Sequence, residues 1–191
     1  MRHPRMHAVL FAVVMMGSSP AEPAGDRNDA SPTTELGRHS VTNALLSAIA
    51  AWLSAEFQMP EAGELPRVEF VPAQKLVALR VDGLMQGASS SIGDSYSSLD
   101  LVAVYHDARR MIYFQEGWSS RSPADVSVLV HEMVHHLQNV GELKYECTEA
   151  REKPAYVAQT RWLSLHGKSL EGEFDLDPMT LLVRTACQTA G

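Results

Sequence analysis

The segment from Ser122 to Gly141 constrains the fold more than any other part of the chain. Ser122 followed by Pro123 favours the start of a helix, because serine caps free backbone N–H groups and proline fits the first turn. Apolar residues then recur every three or four positions in one broad stripe: Val126, Leu129, Val130, Met133, Leu137 and Val140. We therefore expect a helix from Pro123 to about Asn139, with this stripe buried in the core.

Two kinds of periodicity alternate along the rest of the chain. Apolar residues three or four apart predict helices, and short apolar or alternating runs predict strands. The predicted helices cover about 41–59, 73–81, 149–166 and 177–187, and the predicted strands cover 67–71, 101–105 and 111–115. The fold class expected is α+β, with a small sheet packed on the helix that begins at Pro123.

Residues 1–21 have the three-part form of a signal peptide. Arg2 and Arg5 precede an apolar run over 8–16, and small residues suited to cleavage follow near Ala21. The apolar run is about half of the ~20 residues that a membrane-spanning helix requires. We therefore expect a secreted or periplasmic protein with no stable membrane insertion after the signal is removed.

Composition limits the remaining organisation. Residues 22–40 are rich in proline, glycine, aspartate and serine without periodicity, which predicts a flexible lead-in. Residues 41–191 have the length of one domain with a full core. The net charge of −7 and the absence of basic runs argue against a nucleic-acid partner. The sequence does not indicate an oligomeric state.

The chain has two cysteines, Cys147 and Cys187. An isolated pair in an exported protein is typical of one disulfide, whereas in a cytosolic protein it would indicate two buried thiols. Because the N-terminus favours export, we predict the disulfide.

A metal-binding motif, His131-Glu-Met-Val-His135, lies within the predicted central helix. Residues four apart are stacked one turn above each other, so both imidazoles can point at one ion. Glu132 is rotated to the side, where its carboxylate can take a proton from a water molecule at the metal. The motif predicts a Zn²⁺ site with His131 and His135 as ligands and Glu132 as the catalytic base.

Catalytic zinc takes a third protein ligand, and several residues downstream are of a suitable type. They are Glu142, Glu146, Glu149, Glu152 and His166. Glu149 and Glu152 fall at the start of the next predicted helix, where side-by-side helix packing can bring a carboxylate to the metal. The residue types alone leave this choice open.

The motif followed by Glu152-Lys-Pro-Ala155-Tyr156 resembles the gluzincin arrangement of zincin metallopeptidases, and residues 100–166 are similar to small secreted bacterial domains of this kind. The resemblance implies a zincin-like fold, Glu152 as the third ligand and hydrolysis of amide bonds. Tyr156 departs from it, because larger gluzincins have there an acid that orients a ligand histidine. Pro154 is compatible with a helix that begins near Arg151, which would place Glu152 in the first turn.

These features predict a zinc-dependent hydrolase, a metallopeptidase, that acts on peptides or proteins. The alternative is a secreted zinc-binding domain without turnover that serves interaction or scaffolding. For the enzyme, we expect residues 111–117 to form an edge strand that pairs with an extended peptide beside the metal.

Overall fold

The computed structural model describes residues 41–86 and 101–187; the predicted signal peptide and lead-in lie outside these ranges. The described residues form six α-helices and three β-strands, which confirms the predicted α+β class. The helices are α1 (Asn43–Phe57), α2 (Ala73–Gln86), α3 (Pro123–Val140), α4 (Thr148–Ser164), α5 (Leu170–Phe174) and α6 (Pro178–Thr185). The strands are β1 (Arg67–Val71), β2 (Ala103–His106) and β3 (Met111–Gln115). Only the short α5 was not expected from the sequence.

Side-chain caps begin the helices at the predicted places. Ser122 Oγ accepts from the Asp125 N–H at 3.0 Å, and the Asp125 carboxylate accepts from the Ser122 N–H at 3.3 Å. This reciprocal pair is a capping box, and it satisfies N–H groups that have no partner within α3. Asp177 caps α6 in a similar way, since its carboxylate accepts from the Thr180 N–H at 3.1 Å. Both predicted helix starts are confirmed.

The strands form a sheet of order β1–β3–β2, in which β1 is parallel and β2 antiparallel to β3. β3 is therefore the central strand, and the expectation that residues 111–117 form a sheet edge is wrong. The successive residues Ile112, Tyr113 and Phe114 are all buried, because helices cover both faces of the sheet. A continuous apolar run is typical of a strand buried on both faces.

The sheet lies between two hydrophobic clusters. On one face, α1 and α3 pack against β3, and the largest fully buried side chains there are Leu46, Ile49, Leu53, Ile112, Phe114, Leu129, Met133 and Leu137. On the other face, α2 contributes Leu76 and Leu79 to a smaller cluster with Val104 and Tyr113. α3 is thus the central helix, and side chains on it are held by packing on most sides.

α4 packs along α3 and begins at Thr148, one residue before the predicted start at 149. The later start near Arg151, with which Pro154 would have been compatible, is not the one adopted. Pro154 is therefore internal to the helix, where it lacks the N–H that would donate to the Ala150 carbonyl. Burial of Ala155 and Ala158 against α3 stabilises the helix in spite of this loss. As a result, Glu152 lies in the second turn of α4 rather than the first.

The predicted disulfide between Cys147 and Cys187 is confirmed, with the two Cα atoms 5.7 Å apart. Cys147 is also the N-cap of α4, and its Sγ accepts from the Ala150 N–H at 3.3 Å. The bridge therefore fixes the start of α4 to the segment that follows α6. In the described part of the chain, no helix is long and apolar enough to cross a membrane.

Reducing this disulfide is expected to lower the free energy of unfolding by about 4 kcal/mol, because the bridge closes a long loop in the unfolded chain. For a domain of this size, that corresponds to a decrease in Tm on the order of 10 °C. Thermal unfolding with and without a phosphine reductant measures the shift. The Cys147→Ser/Cys187→Ser double variant should reproduce the lower Tm without reductant. An unchanged Tm, or two thiols that label in unreduced protein, would contradict this expectation.

Candidate metal centre

His131 and His135 lie one turn apart on α3, with their side chains only 12% and 10% exposed. Their Nε2 atoms approach to 3.2 Å, and the ring centroids are 5.0 Å apart. Packing of the apolar stripe of α3 fixes the helix beneath both rings. The structure therefore brings the two histidines of the motif to one point, as the helical spacing predicts.

The third member of the cluster is Glu152, which reaches the histidines from α4. Its Oε2 atom lies 3.2 Å from His131 Nε2 and 3.4 Å from His135 Nε2. Among residues 41–86 and 101–187, these three side chains form the group of histidine, cysteine or acidic residues that could hold a metal ion, with ligand atoms within 4.8 Å of one another. The other sequence candidates, Glu142, Glu146, Glu149 and His166, are not members of this group.

Two buried glutamines contact the far side of the histidine rings. Gln159 Oε1 lies 3.1 Å from His131 Nδ1, and Gln138 Oε1 lies 3.0 Å from His135 Nδ1. Neither glutamine was predicted from the sequence as part of the site. Gln138 stands three residues after His135 on the same helix, a spacing that could have indicated it. Gln159 comes from α4, and only the packing of α4 on α3 brings it to His131.

Tyr156 of α4 also lies beside His131. Its ring lies edge to face with His131, with centroids 4.7 Å apart. Its hydroxyl accepts a hydrogen bond from Arg184 Nη1 on α6 at 3.2 Å. Tyr156 therefore contacts the histidine–glutamate cluster through its ring, while Gln159 Oε1 lies within hydrogen-bond distance of His131 Nδ1.

Arg151 ties α4 to α3 directly beside Glu152. Its Nη2 donates to the His135 carbonyl at 3.1 Å, and its Nε donates to Gln138 Oε1 at 3.0 Å. The same guanidinium forms a bidentate ion pair with Asp107, which follows β2. These bonds fix the position of α4 relative to α3, and therefore that of the Glu152 carboxylate.

An open cavity of about 410 Å³ lies over the cluster. Glu132 lines it together with all three members of the cluster and is itself only 7% exposed. The other lining side chains are Arg80, Val104, Tyr105, His106, Asp107, Ala108, Asn139, Thr148 and Arg151. Three of these residues belong to β2, so the cavity runs beside that strand.

His136 follows His135 on α3 but is not a member of the cluster. It is fully buried, with Nε2 2.7 Å from the Glu64 carbonyl and Nδ1 3.1 Å from Tyr105 Oη. Burial lowers its pKa, so it remains neutral and joins α3 to β2 and to the loop before β1.

Residues 38–190 match a family described as "Domain of unknown function (DUF6647)". The chain belongs to the DUF6647 family. No curated protein and no solved structure matches it. The matched residues include every helix and strand within the described part of this DUF6647 chain, as well as the whole histidine–glutamate cluster. Functional conclusions therefore depend on the chemistry of the cluster itself.

The cluster is charged in a way that favours a cation. Burial by itself would raise the pKa of Glu152, but the His135 and His131 rings hold it well below its usual range. For His135, burial opposes the charged form, yet the Glu152 carboxylate raises the pKa of the ring. Both shifts have one cause, a carboxylate beside two imidazole nitrogens with little water. A metal cation bound between the Glu152 carboxylate and the two imidazole nitrogens would take the place of the proton that His135 otherwise binds more tightly.

The donor set and its spacing fit a zinc ion. Two imidazole nitrogens and one carboxylate oxygen are ligands that catalytic zinc commonly takes, with one position left open. Ligand bonds of about 2.0–2.1 Å around a tetrahedral ion place neighbouring ligand atoms roughly 3.3 Å apart. In the DUF6647 chain, the separations between the three Nε2 and Oε2 atoms are 3.2, 3.2 and 3.4 Å.

Proposed function

We propose that this DUF6647 chain is a zinc-dependent hydrolase, a metallopeptidase of the gluzincin type with a zincin-like fold. His131, His135 and Glu152 would hold the zinc, and Glu132 would be the general base. The observation that carries the proposal is the convergence of the three ligand atoms at zinc spacing, with Glu132 lining the same open cavity. The Cys147–Cys187 bridge is compatible with a secreted or periplasmic location.

Zinc at this site would supply a Lewis acid that polarises a carbonyl and brings the pKa of a water molecule to about 7. The residues of the chain then have separate tasks. The Glu132 carboxylate takes the proton of the attacking water, and the resulting carboxylic acid passes that proton to the departing amine nitrogen. Glu132 is only 7% exposed, so electrostatic interactions of its carboxylate are stronger than they would be in bulk water.

Among the described residues, β2 is the sheet edge beside the cavity, a position that had been predicted for β3. The Val102 carbonyl accepts from the Gln115 N–H at 2.9 Å. Hydrogen-bonded pairs alternate along an antiparallel ladder, so the N–H and C=O groups of Ala103 and Tyr105 point away from β3. An extended peptide could pair with these groups by strand addition and pass along the cavity. We therefore propose an unfolded protein or peptide as substrate.

A library of unfolded proteins and peptides tests this proposal. The zinc-loaded protein should cleave extended segments, a chelator should stop cleavage, and added zinc should restore it, as followed by mass spectrometry. For a cleaved peptide, methylation of single backbone nitrogens should lower the rate roughly fivefold at alternate positions, since each lost hydrogen bond is worth about 1 kcal/mol.

The alternation supplies the internal control, because methylation at the intervening positions should leave the rate nearly unchanged. Equal effects at all positions would contradict pairing with β2. No cleavage anywhere in a broad library by protein of full zinc content would favour a zinc-binding interaction or scaffold domain instead.

A further inference from the structure

We propose that Gln138 and Gln159 are positioning residues that hold both histidines in a single tautomer, with Nδ1 protonated and Nε2 free for the metal. The inference builds on the zinc site of the proposed function. It concerns residues that touch neither the ion nor the substrate. It follows from the direction of two hydrogen-bond chains, each of which has a fixed end.

The chain at His135 is fixed by Arg151. Gln138 Oε1 accepts from Arg151 Nε at 3.0 Å, and a guanidinium can only donate. Gln138 Nε2 donates to the Arg151 carbonyl at 2.9 Å, which can only accept. If the Gln138 amide were rotated by 180°, its NH₂ group would face the Arg151 Nε–H donor and its oxygen would face the Arg151 carbonyl oxygen. Neither pair could form a hydrogen bond. The amide oxygen of Gln138 therefore faces His135 Nδ1 at 3.0 Å, and that nitrogen must carry the proton.

The chain at His131 is fixed by a backbone carbonyl. The Ser127 hydroxyl donates to the Ala124 carbonyl at 2.6 Å, so its one proton is not available for a second hydrogen bond. Ser127 Oγ must then accept from Gln159 Nε2, which lies 3.2 Å away. The oxygen of the Gln159 amide is left to face His131 Nδ1 at 3.1 Å, and this nitrogen is again the donor. Two independent chains thus select the same tautomer.

Burial makes both chains effective. Gln138 and Gln159 are 2% and 5% exposed, so bulk water does not compete for their amide groups. An unpaired amide in such a place is unfavourable, which opposes any other arrangement of the two side chains. A glutamine oxygen holds each imidazole at Nδ1, and Nε2 on the other side of the ring faces the Glu152 carboxylate. The neutral amides also add no negative charge to the site, unlike the acid that the gluzincin resemblance implies.

Zinc affinity measured by competition with a chromogenic chelator tests this role without reference to activity. Gln159→Met and Gln138→Met keep the side-chain length but remove the acceptor, and each should weaken zinc binding by about 10- to 100-fold. Gln159→Glu restores an acceptor oxygen and should recover most of the affinity. Ser127→Ala leaves Gln159 in place but frees its amide to turn over, so its loss should be smaller. Gln74→Met, at an exposed position on α2, is the matched control.

A second readout is the tautomer itself, observed by ¹⁵N–¹H correlation of the imidazole rings in metal-free protein at a pH where both rings are neutral. Wild type should show protonated Nδ1 on His131 and His135, and each Met variant should lose that pattern at its own histidine. Protonated Nε2 in wild type, or wild-type zinc affinity in both Met variants, would overturn the proposal. Absence of zinc binding by wild type would instead refute the proposed function, while the tautomer measurement would still decide the role of the glutamines.

Discussion

Replacing Glu132 with glutamine is expected to lower the rate of peptide hydrolysis by at least about a hundredfold while zinc stays bound. Glutamine has nearly the same shape as glutamate but cannot take the proton of the attacking water. Glu132 is not one of the three clustered ligand atoms, so metal content should not change. The measurement is kcat on a cleaved peptide at equal zinc occupancy, with occupancy determined by elemental analysis.

Glu149→Gln is the matched control for this experiment. Glu149 lies in the first turn of α4, outside the metal cluster, and its substitution removes the same charge. It should leave both the rate and the zinc content close to those of wild type. Equal rates for wild type and Glu132→Gln would exclude Glu132 as the base, whatever metal the protein holds.

Replacing His135 with alanine is expected to abolish zinc retention, because the two remaining ligands cannot hold the ion against dialysis. Wild type should retain about one zinc per chain after reconstitution, and Glu152→Gln should lose most of it. The comparison of Glu152→Gln with Glu149→Gln assigns the third ligand. Elemental analysis after exhaustive dialysis supplies the measurement.

His166→Ala is the appropriate histidine control, since His166 is exposed and its ring contacts Trp162 instead of the cluster. This variant should retain zinc like wild type. If reconstituted wild type held no zinc, the metal centre would have to be abandoned along with the proposed hydrolase. Thermal unfolding of each variant in its metal-free form separates loss of ligands from loss of fold.

The helices could be predicted because their signals are local. A serine or aspartate cap with a following proline defines a start within a few residues, and the apolar stripe of α3 repeats over its whole length. The pairing of His131 and His135 could be predicted for the same reason, since the two residues are one helical turn apart. Residue type alone could not show which acid is the third member of the cluster. The resemblance to gluzincins selected Glu152 among several acids.

The sheet order could not be predicted in this way. The pattern of β3 shows that the strand is apolar, but pairing with β1 and β2 on either side depends on contacts distant in the sequence. Pro154 left a later start of α4 near Arg151 open, because proline is unfavourable inside an isolated helix, whereas packing on α3 decides the outcome in the folded chain. Gln159 was missed for the same reason, since its contact with His131 exists only when the two helices lie together.

The disulfide also determines what a cut in the C-terminal part of the chain can release. Leu165, His166 and Gly167 are exposed in the turn that follows α4, as is common at sites where proteases nick a chain. A single cut there falls within the loop that Cys147 and Cys187 close, so both pieces stay covalently joined. After such a cut, the disulfide at the N-terminus of α4 would still hold the segment that contains α6. The helix that carries Glu152 and Gln159 would therefore keep this segment even in a medium rich in extracellular proteases.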